Sequence, residues 1–327
     1  MTTQLQTKPV TIITGFLGAG KTTFLNELLM AEKKGKYAII ENEFGKESID
    51  GELVMEISDN IFEMSSGCLC CNLNEDLVDL LIDLSKKSGN FEELIIETTG
   101  IADPSSVALP FLIDPLVSRY YQLQRVICLV DARNIAHELA TTEEARKQIS
   151  FSDVLLISKT DLVTPEELAT LQTLLKDINP FAVILSGTKE HFPHQEIMAY
   201  TRNQSEHYNG EEQTKEKHHH SLSSLTLTFD EPFDIPKLKH TLMVFMAVQS
   251  ADIYRVKGIV YGFGETEKFV LQSVAEYLAI APGKPWEDGE VKRSKIVLIG
   301  KNLKMKGFEQ LLSHALYAAP GEGSESF

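Results

Sequence analysis

From Pro9 to about Gly187, short runs rich in Val, Ile and Leu alternate with longer segments whose apolar residues recur at helical spacing. The runs Val10 to Thr14, Tyr37 to Glu41, Glu93 to Glu97, Arg125 to Asp131, Asp153 to Ser158 and Ala182 to Leu185 predict strands. Several are apolar almost without interruption, as in strands covered on both faces; a half-exposed strand would alternate with period two. The strand and helix alternation predicts an α/β fold with a mostly parallel sheet and crossover helices. Leu73, Leu77, Leu80, Leu81 and Leu84 place one helix face against that core, and Thr164 to Asp177 reads as another helix.

The pattern breaks at Thr188. From there to Ser221 the chain is rich in Glu, Gln, Asn and His with scattered apolar residues and no clear period, which reads as a mobile linker. Periodicity returns with a strand over Leu222 to Phe229 and a helix over Asp234 to Val248, where Pro236 is tolerated in the first turn. Ile253 to Phe263 and Lys268 to Val274 predict paired strands around the Gly262 to Thr266 turn. Lys295 to Ile299 predicts a further strand and Lys304 to Leu316 a helix. The expected organisation is therefore an α/β domain with a mostly parallel sheet over 1–187, a linker over 188–221 and a small α+β domain over 222–327. A length of 327 residues suits this division, at roughly 150 residues per domain.

Charge narrows the partners. Thirty-one Lys and Arg against 47 Asp and Glu leave a formal net charge of −16, which disfavours long nucleic acids and anionic membranes. The polar start, Met1 to Lys8, leads into only a short apolar run, and no apolar stretch reaches membrane-spanning length. A cytoplasmic address is the expectation. Four cysteines are too few for a disulfide scaffold, and three of them crowd into Cys68-Leu69-Cys70-Cys71. The fourth, Cys128, sits in an apolar run and reads as a small buried strand residue.

Specific chemistry enters at Gly15-Phe16-Leu17-Gly18-Ala19-Gly20-Lys21-Thr22, which fits the phosphate-binding pattern G-x-x-x-x-G-K-[ST] between a predicted strand and a predicted helix. Its glycines let backbone N–H groups cradle phosphate, Lys21 reaches the β- and γ-phosphates, and the Thr22 hydroxyl ligates Mg²⁺. Glu97 stands at the tip of another core strand, able to address the metal side, and Gly100 frees the loop after it to respond to the γ-phosphate. Ser158-Lys159-Thr160-Asp161 resembles the Asn-Lys-x-Asp element that reads guanine, with Asp161 accepting from the base edge and Ser158 in place of Asn. Cys68, Cys70 and Cys71 present thiols suited to one borderline-soft ion, Zn²⁺ first, and three sulfurs leave the site short of a closed structural one. Buried structural cysteines and a redox pair are the other readings of that cluster. In the linker lie His191, His194, His207, His218, His219 and His220, six of nine histidines, which can bind Zn²⁺, Ni²⁺ or Co²⁺ or be incidental surface residues.

These motifs, with Glu41-Asn42-Glu43-Phe44-Gly45 and Glu97-Thr98-Thr99-Gly100-Ile101-Ala102-Asp103-Pro104, resemble in order and content the CobW family of P-loop GTPases, relatives of UreG and HypB. Arg255-Val256-Lys257-Gly258, Trp286 and Val297-Leu298-Ile299-Gly300 are similar to the family's C-terminal domain. The resemblance implies a GTP-hydrolysing metallochaperone that delivers zinc, or Co²⁺ or Ni²⁺, to a client protein. It implies GTP/GDP and Mg²⁺ held by Gly15, Gly18, Ala19, Gly20, Lys21, Thr22, Thr23, Gly100, Ser158, Lys159 and Asp161. Lys21, Glu43 and Glu97 would act in hydrolysis, and Glu41 would join the three cysteines on the metal. Glu41 and Glu43 would belong to the first nucleotide-sensing loop and Asp103 to the second; Lys46 replaces an acidic residue common in the family, and Glu47 follows. With no arginine finger near these motifs, intrinsic hydrolysis is expected to be slow. Two further readings use the same P-loop: a small-molecule kinase, and a nucleotide-gated docking module without significant turnover.

Overall fold

The computed structural model describes residues 7–31, 36–41, 61–63, 73–86, 91–189, 191–202, 215–219, 222–249 and 252–318. The chain divides into two compact units, Met1–Tyr208 and Asn209–Phe327.

In the first unit β1 (Lys8–Gly15) runs into α1 (Lys21–Ala31), followed by β2 (Tyr37–Glu41), β3 (Ile61–Glu63), α2 (Leu73–Lys86) and β4 (Glu93–Glu97). Three short helices that each open on a proline, α3 (Pro104–Ala108), α4 (Pro110–Ile113) and α5 (Pro115–Tyr120), lead to β5 (Tyr121–Asp131). Proline suits those positions because its missing N–H falls where a helix has no partner to offer. Next come α6 (Ile135–Thr141), α7 (Glu143–Phe151), β6 (Val154–Ser158), α8 (Pro165–Ile178), β7 (Val183–Ser186) and α9 (His194–Ala199). Thr164 and Glu167 close a reciprocal capping box at the start of α8, satisfying two of its unpaired N–H groups.

The strands form one sheet in the order β3-β2-β4-β1-β5-β6-β7, and every described pair is parallel. The C-terminal tips therefore share one edge. After β1 the chain moves to one side, and after β4 it crosses to the other, so the crevice beside β1 is where such a sheet gathers ligands. One face of the sheet is sealed by α1, whose Phe24, Leu25, Leu28 and Leu29 pack with Ile13, Ile39, Ile95, Ile127 and Leu129. Leu77, Leu81 and Leu84 of α2 are buried, as their spacing predicts, and Cys128 lies buried within β5.

The stretch expected as a linker carries elements at both ends. Phe192, Ile197 and Tyr200, in and around α9, join the same core as Phe24, and β8 (Lys215–His219) pairs antiparallel with β9 (Leu222–Phe229). Three apolar residues so widely spaced leave no period to read, and an edge strand pairs through its backbone whatever its side chains. The division between the units falls inside that stretch, after Tyr208.

The second unit continues with α10 (Ile235–Gln249), β10 (Ile253–Tyr261), β11 (Glu267–Val274), β12 (Tyr277–Pro285), β13 (Ser294–Gly300) and α11 (Met305–Ser313). Its antiparallel sheet runs β12-β11-β10-β13-β9-β8. Leu225, Leu227, Val256, Val260, Ile296 and Leu298 from the sheet meet Leu238, Leu242, Met246, Phe308 and Leu312 from the two helices in a separate core. The strand β12 has no forerunner in the hydrophobic pattern, because Pro282 and Pro285 read against a strand. They are accommodated because β12 is an edge.

Candidate nucleotide and metal site

The loop between β1 and α1 is shaped by two glycines in the left-handed region, Gly18 at φ 74° and Gly20 at φ 96°; a Cβ on either would meet open space. Such a backbone turns successive N–H groups toward a common concavity at a helix N-terminus, which suits phosphate. Lys21 is largely buried and its Nζ donates to the Gly15 carbonyl at 3.0 Å and to the Phe16 carbonyl at 3.3 Å, folding the ammonium over the loop. Burial lowers its pKa, and Glu97 foremost, with Cys128 and Glu138, acts against that shift. Ala19 is buried beneath the loop, while Thr22 and Thr23 are half-buried in the first turn of α1.

The Thr22 hydroxyl donates to Glu97 Oε1 at 2.9 Å, joining the P-loop helix to the tip of β4. A hydroxyl and a carboxylate this close form an all-oxygen pair of the kind a hard divalent cation takes, and the Thr99 hydroxyl two residues on is buried with no hydrogen-bond partner among the described residues. The donor set fits Mg²⁺: Thr22 and Glu97 would hold it, and it would neutralise phosphate charge. Register sets Glu41 directly beside Glu97, and Glu63 beside Glu41, so three acidic residues stand in a row across neighbouring strand tips.

The loop after β4 leans on the P-loop itself. A Cβ on Gly100 would come within 2.8 Å of Leu17 Cα and 2.6 Å of its side chain, so only glycine permits this approach. Thr98 N–H donates to Ile13 O at 2.9 Å and its hydroxyl to Thr14 Oγ1 at 3.0 Å. Asp103 caps α3 through Ser105 N at 2.9 Å and pairs with Lys147 at 3.4 Å.

On the other side of the crevice, Ser158 Oγ donates to the Ala19 carbonyl at 2.7 Å and Lys159 Nζ to the Gly18 carbonyl at 2.7 Å. Lys159 sits at φ 56°, a rare conformation for a side-chain-bearing residue, and its ammonium also pairs with buried Asp131 at 2.6 Å. Burial alone would raise Asp131, but Lys159 and the Arg133 N–H hold its carboxyl below the usual value. Asp161 is exposed. Thr160 Oγ1 anchors this turn on the Gly187 carbonyl at 3.1 Å.

The structure thus brings Gly15, Gly18, Ala19, Gly20, Lys21, Thr22, Thr23, Glu97, Gly100, Ser158 and Lys159 around one crevice at the shared sheet edge. Glu43, Cys68, Cys70 and Cys71 lie outside the described residues. Among the described residues no group of three or more His, Cys, Asp or Glu could hold a metal ion. Two neighbours of the crevice escape the sequence reading, Asp131 and Glu138. Asp131 closes an apolar strand much as Glu97 does, and that position is the available signal; Glu138, on a short helix, carries none.

Residues 9–186 match the CobW/HypB/UreG nucleotide-binding domain, and residues 222–316 match the cobalamin synthesis protein cobW C-terminal domain. The chain is 33% identical over 308 residues to the zinc chaperone YjiA of Escherichia coli (strain K12), covering 90% of this chain and 94% of that protein. It is 28% identical over 343 residues to zinc-regulated GTPase metalloprotein activator 1 of Schizosaccharomyces pombe, covering 90% of this chain and 82% of that one. A solved structure of Zn(II)-bound YjiA GTPase from E. coli is similar with a TM-score of 0.69 at 26% identity, covering 95% of this chain and all, 100%, of that one. Among the described residues no helix is long and apolar enough to cross a membrane. With a P-loop crevice in its first unit and both units matched, the chain belongs to the CobW family of the CobW/HypB/UreG nucleotide-binding proteins.

Proposed function

We propose that this chain is a cytoplasmic GTPase that holds a transition metal, zinc first, at Cys68-Leu69-Cys70-Cys71 and passes it to a metal-requiring client protein. The observation that carries the reading is the hydrogen bond between Thr22 and Glu97, with Glu41 in register beside Glu97. A nucleotide-bound Mg²⁺ at Thr22 and Glu97 would lie next to the strand tip that leads into Glu43 and on toward the cysteines. Lys21 would stabilise charge on the transferred phosphoryl group, and Glu43 and Glu97 would serve hydrolysis from the two sensing loops. Relatives named as a zinc chaperone and as a zinc-regulated GTPase metalloprotein activator support zinc as the cargo. Co²⁺ or Ni²⁺ would use the same thiolates less selectively. Intrinsic turnover is slow in this reading, since the sequence carries no arginine near the P-loop or the sensing-loop motifs. A small-molecule kinase would have no use for Asp161 or for the contacts by which Ser158 and Lys159 tie that turn to the P-loop.

The test is a zinc titration of the metal-free protein with a GTP analogue, with GDP and with neither, repeated on Cys70→Ser. Affinity should differ between the nucleotide states and fall in the variant, and by linkage zinc must change nucleotide affinity by the same factor. A variant that binds as tightly as the parent removes the cysteines as the site. Identical affinities in all three states leave a zinc-binding protein without nucleotide gating.

A further inference from the structure

The loop that follows β4 is held from a side that the motif reading does not touch. Gln148, on α7, is almost fully buried at 1% exposure, deep under the loop. Its side-chain amide donates to two main-chain carbonyls of that loop, Gly100 O at 3.1 Å and Ala102 O at 3.1 Å. Those carbonyls flank a tight turn closed by Ala102 N–H on Thr99 O at 3.1 Å. One residue earlier on α7, Lys147 reaches Asp103 at 3.4 Å, so consecutive side chains of one helix grip both the turn and the cap that ends it.

Opposite Gln148 the loop meets Leu17 of the P-loop, where Gly100 leaves no room for a side chain. The Gly100 N–H has no partner among the described residues. A loop whose carbonyls are fixed on one side and whose glycine is pressed to the P-loop on the other can hold that N–H ready for a terminal phosphate. A carboxylate or a hydrocarbon at 148 would leave the same carbonyls buried and unpaired, which makes an amide the chemically suited group.

We propose that Gln148 is a positioning residue for GTP hydrolysis, setting the loop at Gly100 so that the protein distinguishes a nucleoside triphosphate from a diphosphate. The proposal rests on the GTPase reading above. Gln148 touches no substrate; it acts through the loop, so its removal should be felt by the triphosphate state and hardly by the diphosphate state.

The test compares the full-length protein with Gln148→Glu, Gln148→Leu and Gln148→Asn. Fluorescent GDP and a non-hydrolysable GTP analogue are titrated in Mg²⁺, GTP turnover is measured at saturation, and thermal melting is recorded alongside. The Glu and Leu variants should bind GDP within about twofold of the parent, lose about tenfold in analogue affinity and fall about tenfold in kcat. Asn keeps the amide on a shorter stem and should fall between, which preserves the test if a more disruptive variant does not fold. Parallel losses for GDP and analogue, or no loss for either, would overturn the positioning role and leave Gln148 as packing. A parent protein that binds neither nucleotide would instead sink the GTPase reading itself.

Discussion

Glu138 on α6 is 7% exposed, yet its Oε2 has no hydrogen-bond partner among the described residues. Burial raises its carboxyl to about 7, and the Asp131 charge adds to the rise against the pull of Lys159 and Lys21. An unfolded Glu ionises near pH ~4.3, so between that value and about 7 the folded chain binds the extra proton. The associated stability is complete below the unfolded value and is lost as pH rises through the folded one. Glu138→Gln removes that loss. In urea denaturation without nucleotide, the variant should match the parent near pH ~4 and exceed it by about 3 kcal/mol near pH ~8. A variant that follows the parent at every pH would show that the carboxyl does not titrate where its surroundings place it.

At the scale of elements, the end of the sheet opposite the nucleotide crevice is clasped by buried cations. Arg125 of β5 donates to Glu93 Oε1 at 3.1 Å on β4, to Thr11 Oγ1 at 3.2 Å on β1 and to the Tyr200 carbonyl at 2.9 Å beyond α9. Arg202 repeats the device against Asp153 at 3.0 Å, whose carboxylate also accepts the Val126 N–H at 3.0 Å. Arg125→Met leaves the Glu93 carboxylate buried without its partner and should cost about 3–5 kcal/mol in chemical denaturation. Adding Glu93→Leu should recover most of that loss, because the cost lies in the stranded charge. The parallel strands and the α2 stripe were legible in the sequence because continuous apolar runs and a leucine period have one structural solution each. So was the placing of Gly18, Gly20 and Lys21 between a strand and a helix and of Glu97 at a strand tip, because the glycine spacing and the apolar run each mark their own boundary. Gln148 and the arginine clasps were not, since a polar residue destined for burial looks like any surface residue until its partners arrive from distant segments. Nor was α9, whose three core residues are too sparse to beat its polar neighbours.

For the whole molecule, each unit owns a core: the one around Phe24 and Ile95 in the first, the one around Leu242 and Leu298 in the second. Units built this way are able to fold alone. Residues 1–208 and 209–327, expressed separately, should each give a cooperative unfolding transition, with nucleotide binding confined to the first. An unfolded second fragment would show that its core needs the first unit. The same inventory has a practical side. Of four cysteines, Cys128 is sealed inside β5 and burial pushes its thiol up to about 12, so the thiolate that reacts with disulfides and alkylating agents scarcely forms there. Any prompt thiol signal from the native protein therefore belongs to Cys68, Cys70 and Cys71. A simple colorimetric thiol count on the natural chain should therefore read those three cysteines without a background mutation, and zinc should lower it if they hold the metal as proposed.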